Sequence, residues 1–242
     1  MSGWSWRTRA AVGVFVLLLG GFMARILIAP ESTGVTVAFP DAPGEAAAVR
    51  EAPGGGTYAF MVTQPDSDDP VTYDPCRPVR LVVNDRAAPP GAADALERAL
   101  DDLESRTGLD FVVEGTTDET PDPDWEPQEE GDGWAPVLLA WSDPEEYDEL
   151  AGDVLGFAGS AWVPQDGHRW YVTGQVVLDG PQLGDLGRTE TTTTILHEFG
   201  HLLGLDHVDD RGELMHPTTT GRTDWGPGDL AGLAALGRGR CA

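Results

Sequence analysis

His197-Glu198-Phe199-Gly200-His201-Leu202-Leu203-Gly204-Leu205-Asp206-His207 is the most informative run of residues in the chain. His197 and His201 stand four apart, so on a helix they share one face, about 5–6 Å apart at Cβ. Two imidazoles so placed can reach one Zn²⁺. Glu198 follows the first of them and projects beside the metal without having to bind it, which is the place of a general base acting on zinc-bound water. Gly204 can take a positive φ and end the helix. The chain then turns back, and His207 can supply a third nitrogen. Three protein ligands leave a fourth position for water, the pattern of a catalytic rather than a closed structural site. The competing reading is a buried helix with incidental histidines. Three of only five His in the chain fall within this stretch, which argues against it.

The surrounding sequence sets the scale. The chain has 242 residues and a formal charge of −26, and all 15 of its Lys+Arg residues are Arg. That is room for one catalytic domain plus a leader. Strong acidity argues against nucleic acid or an anionic membrane surface as the binding partner. Arg7 and Arg9 precede an apolar run from Ala10 to Ala29, broken only by Arg25. Residues 1–29 therefore read as a membrane anchor, or as a signal peptide with an apolar stretch at Ala10–Ala24. Both readings place the rest outside the cytoplasm. Residues 30–70 are rich in Pro, Gly, Ala and Asp and read as a flexible linker or short pro-segment, with only Thr57–Thr63 strand-like.

Residues 71–242 read as the catalytic domain. Strands are predicted at Val79–Val83, Leu109–Val113, Pro136–Trp141, Val154–Trp162 and Trp170–Asp179. A helix is predicted over Ala92–Thr107, where Leu96, Leu100 and Leu103 make one apolar stripe. The zinc helix is Thr189–Gly204, with Asp185 or Thr189 as its cap, and a final helix covers Leu230–Leu236. The fold class is α+β: a twisted mixed sheet with two long helices, the zinc helix at the cleft, and an irregular C-terminal part ending in a helix. Residues 114–135 form an acidic loop with nine carboxylates, read as a solvated surface loop or alternatively as a Ca²⁺ site.

With Glu213-Leu214-Met215-His216-Pro217, whose Met stands eight residues beyond His207, the set resembles the metzincin zinc metallopeptidases. Within them it is most similar to the matrixins, from about Cys76 to the C-terminus. The resemblance implies a Met-turn at Met215, packed beneath the ligand imidazoles without touching the metal. It implies an edge strand at Ala158–Pro164 that pairs with an extended substrate, an S1′ wall from about Thr218–Trp225, and the opening of the C-terminal helix at Asp229–Leu233. It also implies a catalytic Zn²⁺ on His197, His201 and His207 with Glu198 as base, and Ca²⁺ by analogy. Departures are clear. There is no cysteine switch, and the histidines for a second zinc site are missing. His168 reads as a surface residue and His216 as structural. Asp206 reads as a turn residue rather than a ligand.

The expected function is an extracytoplasmic zinc endopeptidase acting on peptides or proteins, bound to the cell membrane through its N-terminus or secreted. The alternatives are a catalytically inactive surface binding module of the same fold and a zinc hydrolase acting on other substrates. Cys76 and Cys241 are the only cysteines and are expected to form one disulfide, as extracytoplasmic placement favours. The rival is Cys76 as a zinc-masking thiol. The sequence sets no oligomeric state.

Overall fold

The computed structural model describes residues 36–38, 48–122, 125–131 and 133–242. The expected leader over residues 1–29 lies outside the described residues. Among the described residues no helix is long and apolar enough to cross a membrane.

In chain order the elements begin with three short strands, β1 (Thr36–Ala38), β2 (Arg50–Glu51) and β3 (Thr57–Phe60). Then come β4 (Val79–Asn84), α1 (Ala92–Thr107), β5 (Phe111–Thr116), β6 (Glu129–Glu130), β7 (Gly133–Trp134) and β8 (Val137–Ser142). The remainder is β9 (Gly156–Gln165), β10 (His168–Asp179), α2 (Gly180–Leu186), α3 (Arg188–Leu203), β11 (Leu205–Asp206) and α4 (Pro227–Leu236). The main sheet has the order β1-β9-β10-β8-β4-β5. β10, β8, β4 and β5 run parallel, while β9 is antiparallel to β10 and β1 antiparallel to β9. This is the expected α+β architecture.

α1 and α3 share one face of the sheet. Leu96, Leu100 and Leu103 of α1 meet Ile195, Phe199 and Leu202 of α3 over Leu81, Leu139, Val176 and Leu178. Phe111 and Phe199 close the contact edge to face, with centroids 6.0 Å apart. Burying each Leu of this stripe contributes about 1.5–3 kcal/mol, so the packed face, not the helix propensity of four consecutive threonines, holds α3. Thr191 and Thr192 turn their hydroxyls back to the Gly187 and Arg188 carbonyls, at 3.0 and 3.1 Å. The expected cap from Asp185 or Thr189 is absent: Gly187 occupies the N-cap and makes no side-chain bond. The short α2 is an element the sequence reading missed; Asp179 caps it by accepting from the Gln182 N–H at 2.8 Å.

The expected tether over residues 30–70 differs in its second half. β2 and β3 form a hairpin, and β3 pairs with β11 through Phe60 opposite Leu205 and Ala59 opposite Asp206. Ala59, Phe60 and Val71 are buried in the main core. The reason is local: β11 leaves the zinc helix with unpaired backbone groups, and a strand as short as Thr57–Phe60 satisfies them. The strand falls within the strand-like Thr57–Thr63 of the sequence; what composition over forty residues does not show is its packing onto β11.

Cys76 and Cys241 form a disulfide, their Cα atoms 5.5 Å apart across 165 residues of sequence. It ties the segment before β4 to the residues that follow α4. Cys76 is thereby unavailable as a zinc-masking thiol.

Candidate functional site

α3 delivers His197 and His201 to one face, with ring centroids 4.8 Å apart. Gly204 then ends the helix at φ 122°, its N–H bonded to the Gly200 and His201 carbonyls. A side chain at that φ is strained, which is why this turn carries glycine. The chain reverses through β11, and His207 brings its ring to 4.5 Å from that of His201 and 5.3 Å from that of His197. The three Nε2 atoms lie 3.1–3.2 Å from one another.

The outer nitrogens set the tautomers. His197 Nδ1 donates to the Leu214 carbonyl at 2.8 Å and His201 Nδ1 to the Leu205 carbonyl at 2.9 Å. A carbonyl only accepts, so on both rings the proton sits on Nδ1 and Nε2 turns a lone pair inward. Nitrogens at 2.0–2.1 Å from a tetrahedral Zn²⁺ stand about 3.3 Å apart. The observed spacing matches that triangle, and converging lone pairs call for a cation between them. Zn²⁺ therefore fits the donor set. Burial, and then the neighbouring His207, hold His197 down to about 4, with the Leu214 carbonyl pulling the other way. Burial and the two neighbouring imidazoles hold His201 well below the usual range. Both rings are thus neutral and ready to ligate at neutral pH.

Glu198 is buried, 6% exposed, and burial pushes its carboxyl up to about 8. A cation held by the imidazoles acts in the opposite direction and favours the carboxylate. The side chain lies against the first residue of β9: a Cβ on Gly156 would meet Glu198 Cγ at 2.7 Å and Oε1 at 2.8 Å. Gly156 thus keeps open the space that Glu198 fills, a role the sequence reading missed.

Met215 is buried beneath the helix. A Cβ on Gly200 would lie 2.6 Å from its sulfur and 3.5 Å from Trp225 Cη2, so the fourth residue of the motif is glycine because Met215 approaches there. The turn is braced from behind. Asp229, fully buried, accepts from the Leu214 N–H at 2.5 Å, the Met215 N–H at 3.3 Å and the Gly226 N–H at 2.8 Å. Glu213 Oε2 accepts from the Asp229 N–H at 2.9 Å and so caps α4 in place of the side chain Gly226 lacks. Leu214 is held at both ends, its N–H by Asp229 and its carbonyl by His197. Burial pushes Asp229 up to about 6; the three N–H bonds oppose this and Glu213 adds to it. The sequence reading took Asp229 only as the opening of the last helix. The signal available was Gly226-Pro227-Gly228-Asp229, an acidic residue at the third helical position.

The other singled-out residues fall outside the triad. Asp206 Oδ1 accepts from the His207 N–H at 2.8 Å. His216 Nδ1 donates to the Thr218 carbonyl at 2.9 Å. His168 packs against Trp170 with centroids 4.5 Å apart and the rings tilted by 54°. Ser160 ties β9 to α3, donating to the Leu202 carbonyl at 2.7 Å. The calcium expectation finds no support. Among the described residues no acidic set in the 114–135 loop converges on a cation site, and Glu114 and Glu130 instead pair with Arg80 at 2.6 and 3.8 Å.

Compared with known proteins, residues 90–233 match the family model for matrixin, which is more than half of the chain. No curated protein matches it.

Proposed function

The chain belongs to the matrixin family, and we propose that it is an extracytoplasmic endopeptidase with Zn²⁺ on His197, His201 and His207 and Glu198 as general base. Membership in the family carries zinc metallopeptidase activity on peptides or proteins in general. The observation that supports the finer reading is the triangle of inward-facing Nε2 atoms with a buried carboxyl beside it.

Bound there, Zn²⁺ would polarise the scissile carbonyl and lower the pKa of water to about 7. Glu198 accepts the proton of the attacking water and then delivers it to the nitrogen of the leaving amine. Burial against Gly156 keeps this carboxyl away from bulk solvent, so the proton it takes is held for the amine. The His197 ring is oriented by the Leu214 carbonyl and the His201 ring by the Leu205 carbonyl. β9 is the strand along which an extended substrate would lie, with Thr218–Trp225 as the S1′ wall.

The retained base argues against a non-catalytic binding module, which has no use for a buried carboxyl at this position. A disulfide supports placement outside the cytoplasm. With residues 1–29 as anchor or signal and 30–70 as a linker or short pro-segment whose Thr57–Phe60 packs onto the domain, residues 71–242 form the catalytic domain.

Glu198→Gln is the test. Zinc content should stay at one per chain while peptide hydrolysis falls about 10²–10⁴-fold. Near wild-type turnover by the variant would sink the assignment. His207→Ala should lower zinc affinity and activity together. Unchanged metal affinity would mean that another group is the third ligand.

A further inference from the structure

β9 is not an open edge. Backbone pairing places Thr36 opposite Trp162, Val37 opposite Ala161 and Ala38 opposite Ser160. Without β1, β9 would be the outermost strand at that end of the sheet. It is also the strand that borders the site: Gly156 at its start abuts Glu198, and Ser160 is bonded to the last turn of the zinc helix. β9 runs away from Glu198 and β1 is antiparallel to it, so β1 runs toward the Glu198 end. Its backbone therefore takes the N–H and C=O groups, and has the antiparallel direction, that an added peptide strand would use. A thiol mask is not available as an alternative block, because Cys76 is held in a disulfide.

We propose that Thr36–Ala38 is an internal occupant of the substrate edge, a strand that must leave β9 before a peptide can pair there. The proposal rests on the reading of β9 as the substrate-binding strand. Occupancy by an attached segment needs no cysteine and no separate inhibitor. Its effect on the enzyme is competitive: the KM for peptide rises by the reciprocal of the fraction of molecules with a free edge, and kcat is untouched.

The test uses the full chain with Thr36→Pro, Val37→Pro and Ala38→Pro combined, which removes every N–H of the strand. Two readouts are taken. Amide hydrogen exchange at Ser160–Trp162 should quicken in the variant, measured in a Glu198→Gln background so that no cleavage intervenes. With Glu198 intact, the KM for a short quenched peptide should fall by about threefold or more at constant kcat. Equal exchange in the two proteins, or a KM that does not fall, overturns the proposal. If neither protein cleaves peptide yet exchange still quickens, the internal pairing stands and the peptidase reading is what fails.

Discussion

Glu198 and Asp229 are both buried carboxyls held above their ordinary pKa, one in the cleft and one behind the Met-turn. They differ in what surrounds them. Asp229 receives three backbone N–H bonds. For Glu198 burial alone sets the shift, with no donor among the described residues to offset it. A carboxylate ringed by donors is fixed and gives little away. One without donors is costly to bury and free to exchange its proton. The same chemical group thus serves as a brace at one place and, in the proposed mechanism, as a base at the other, and the difference lies in backbone N–H groups rather than in the residue.

Neutralising each group separates the two roles most directly. Glu198→Gln, which should cut turnover about 10²–10⁴-fold, should leave the metal-free protein as stable as wild type or more so, because the amide is neutral without the proton uptake that a buried carboxyl needs. Asp229→Ala should do the reverse. It strands buried N–H groups and should cost about 3 kcal/mol or more, while molecules that remain folded keep a measurable kcat. Urea melts of the two variants beside peptide turnover check this. Equal stability losses in both would erase the distinction.

The next effect is in the pH dependence of stability. Each carboxyl has a folded pKa above its unfolded one, so its contribution is full at low pH and is lost as pH rises toward the folded value. For Asp229 that window runs from about 4 to about 6, and for Glu198 from about 4.5 to about 8. The depressed imidazoles His197 and His201 act in the opposite sense, gaining stability as pH rises toward their unfolded value. The difference between wild type and Glu198→Gln cancels them. In metal-free protein that difference should widen from pH 5 to 8, and loading with Zn²⁺ should remove most of it by favouring the carboxylate. A flat difference without metal would mean that Glu198 is not desolvated.

What the sequence showed and what it hid follows the same line. The spacing of His197, His201 and His207 is local, and local geometry alone brings the rings together. The period of Leu96, Leu100 and Leu103 likewise places α1 at its observed bounds, Ala92–Thr107. Gly156, Gly200 and Asp229 matter only through contacts with chain far from them in sequence. Gly156 faces Glu198 and Gly200 faces Met215, and Asp229 reaches Leu214 across 15 residues. No periodicity records such partners. Thr57–Thr63 likewise shows β3 as a strand but not its partner β11, which lies almost 150 positions downstream.

Glu213 gives the smallest effect and the finest test of the brace. It is buried at 1% exposure. Its Oε2 accepts from the Asp229 N–H, and Oε1 has no hydrogen-bond partner among the described residues. Its charge is one of the causes that push Asp229 up. Glu213→Gln keeps an oxygen to accept from the Asp229 N–H and removes the neighbouring charge. The new amide hydrogens take the place of the unpartnered oxygen and bear a cost of their own. The two changes oppose, so stability at pH 7 should shift by about 1 kcal/mol or less. The direction of the pH effect is firmer. With Glu213 neutral, Asp229 titrates closer to its ordinary value, so the loss of stability between about pH 4 and 6 shrinks. Denaturant melts across that range, Glu213→Gln against wild type, measure it. An unchanged slope would mean that Glu213 has no part in holding Asp229 above its ordinary value.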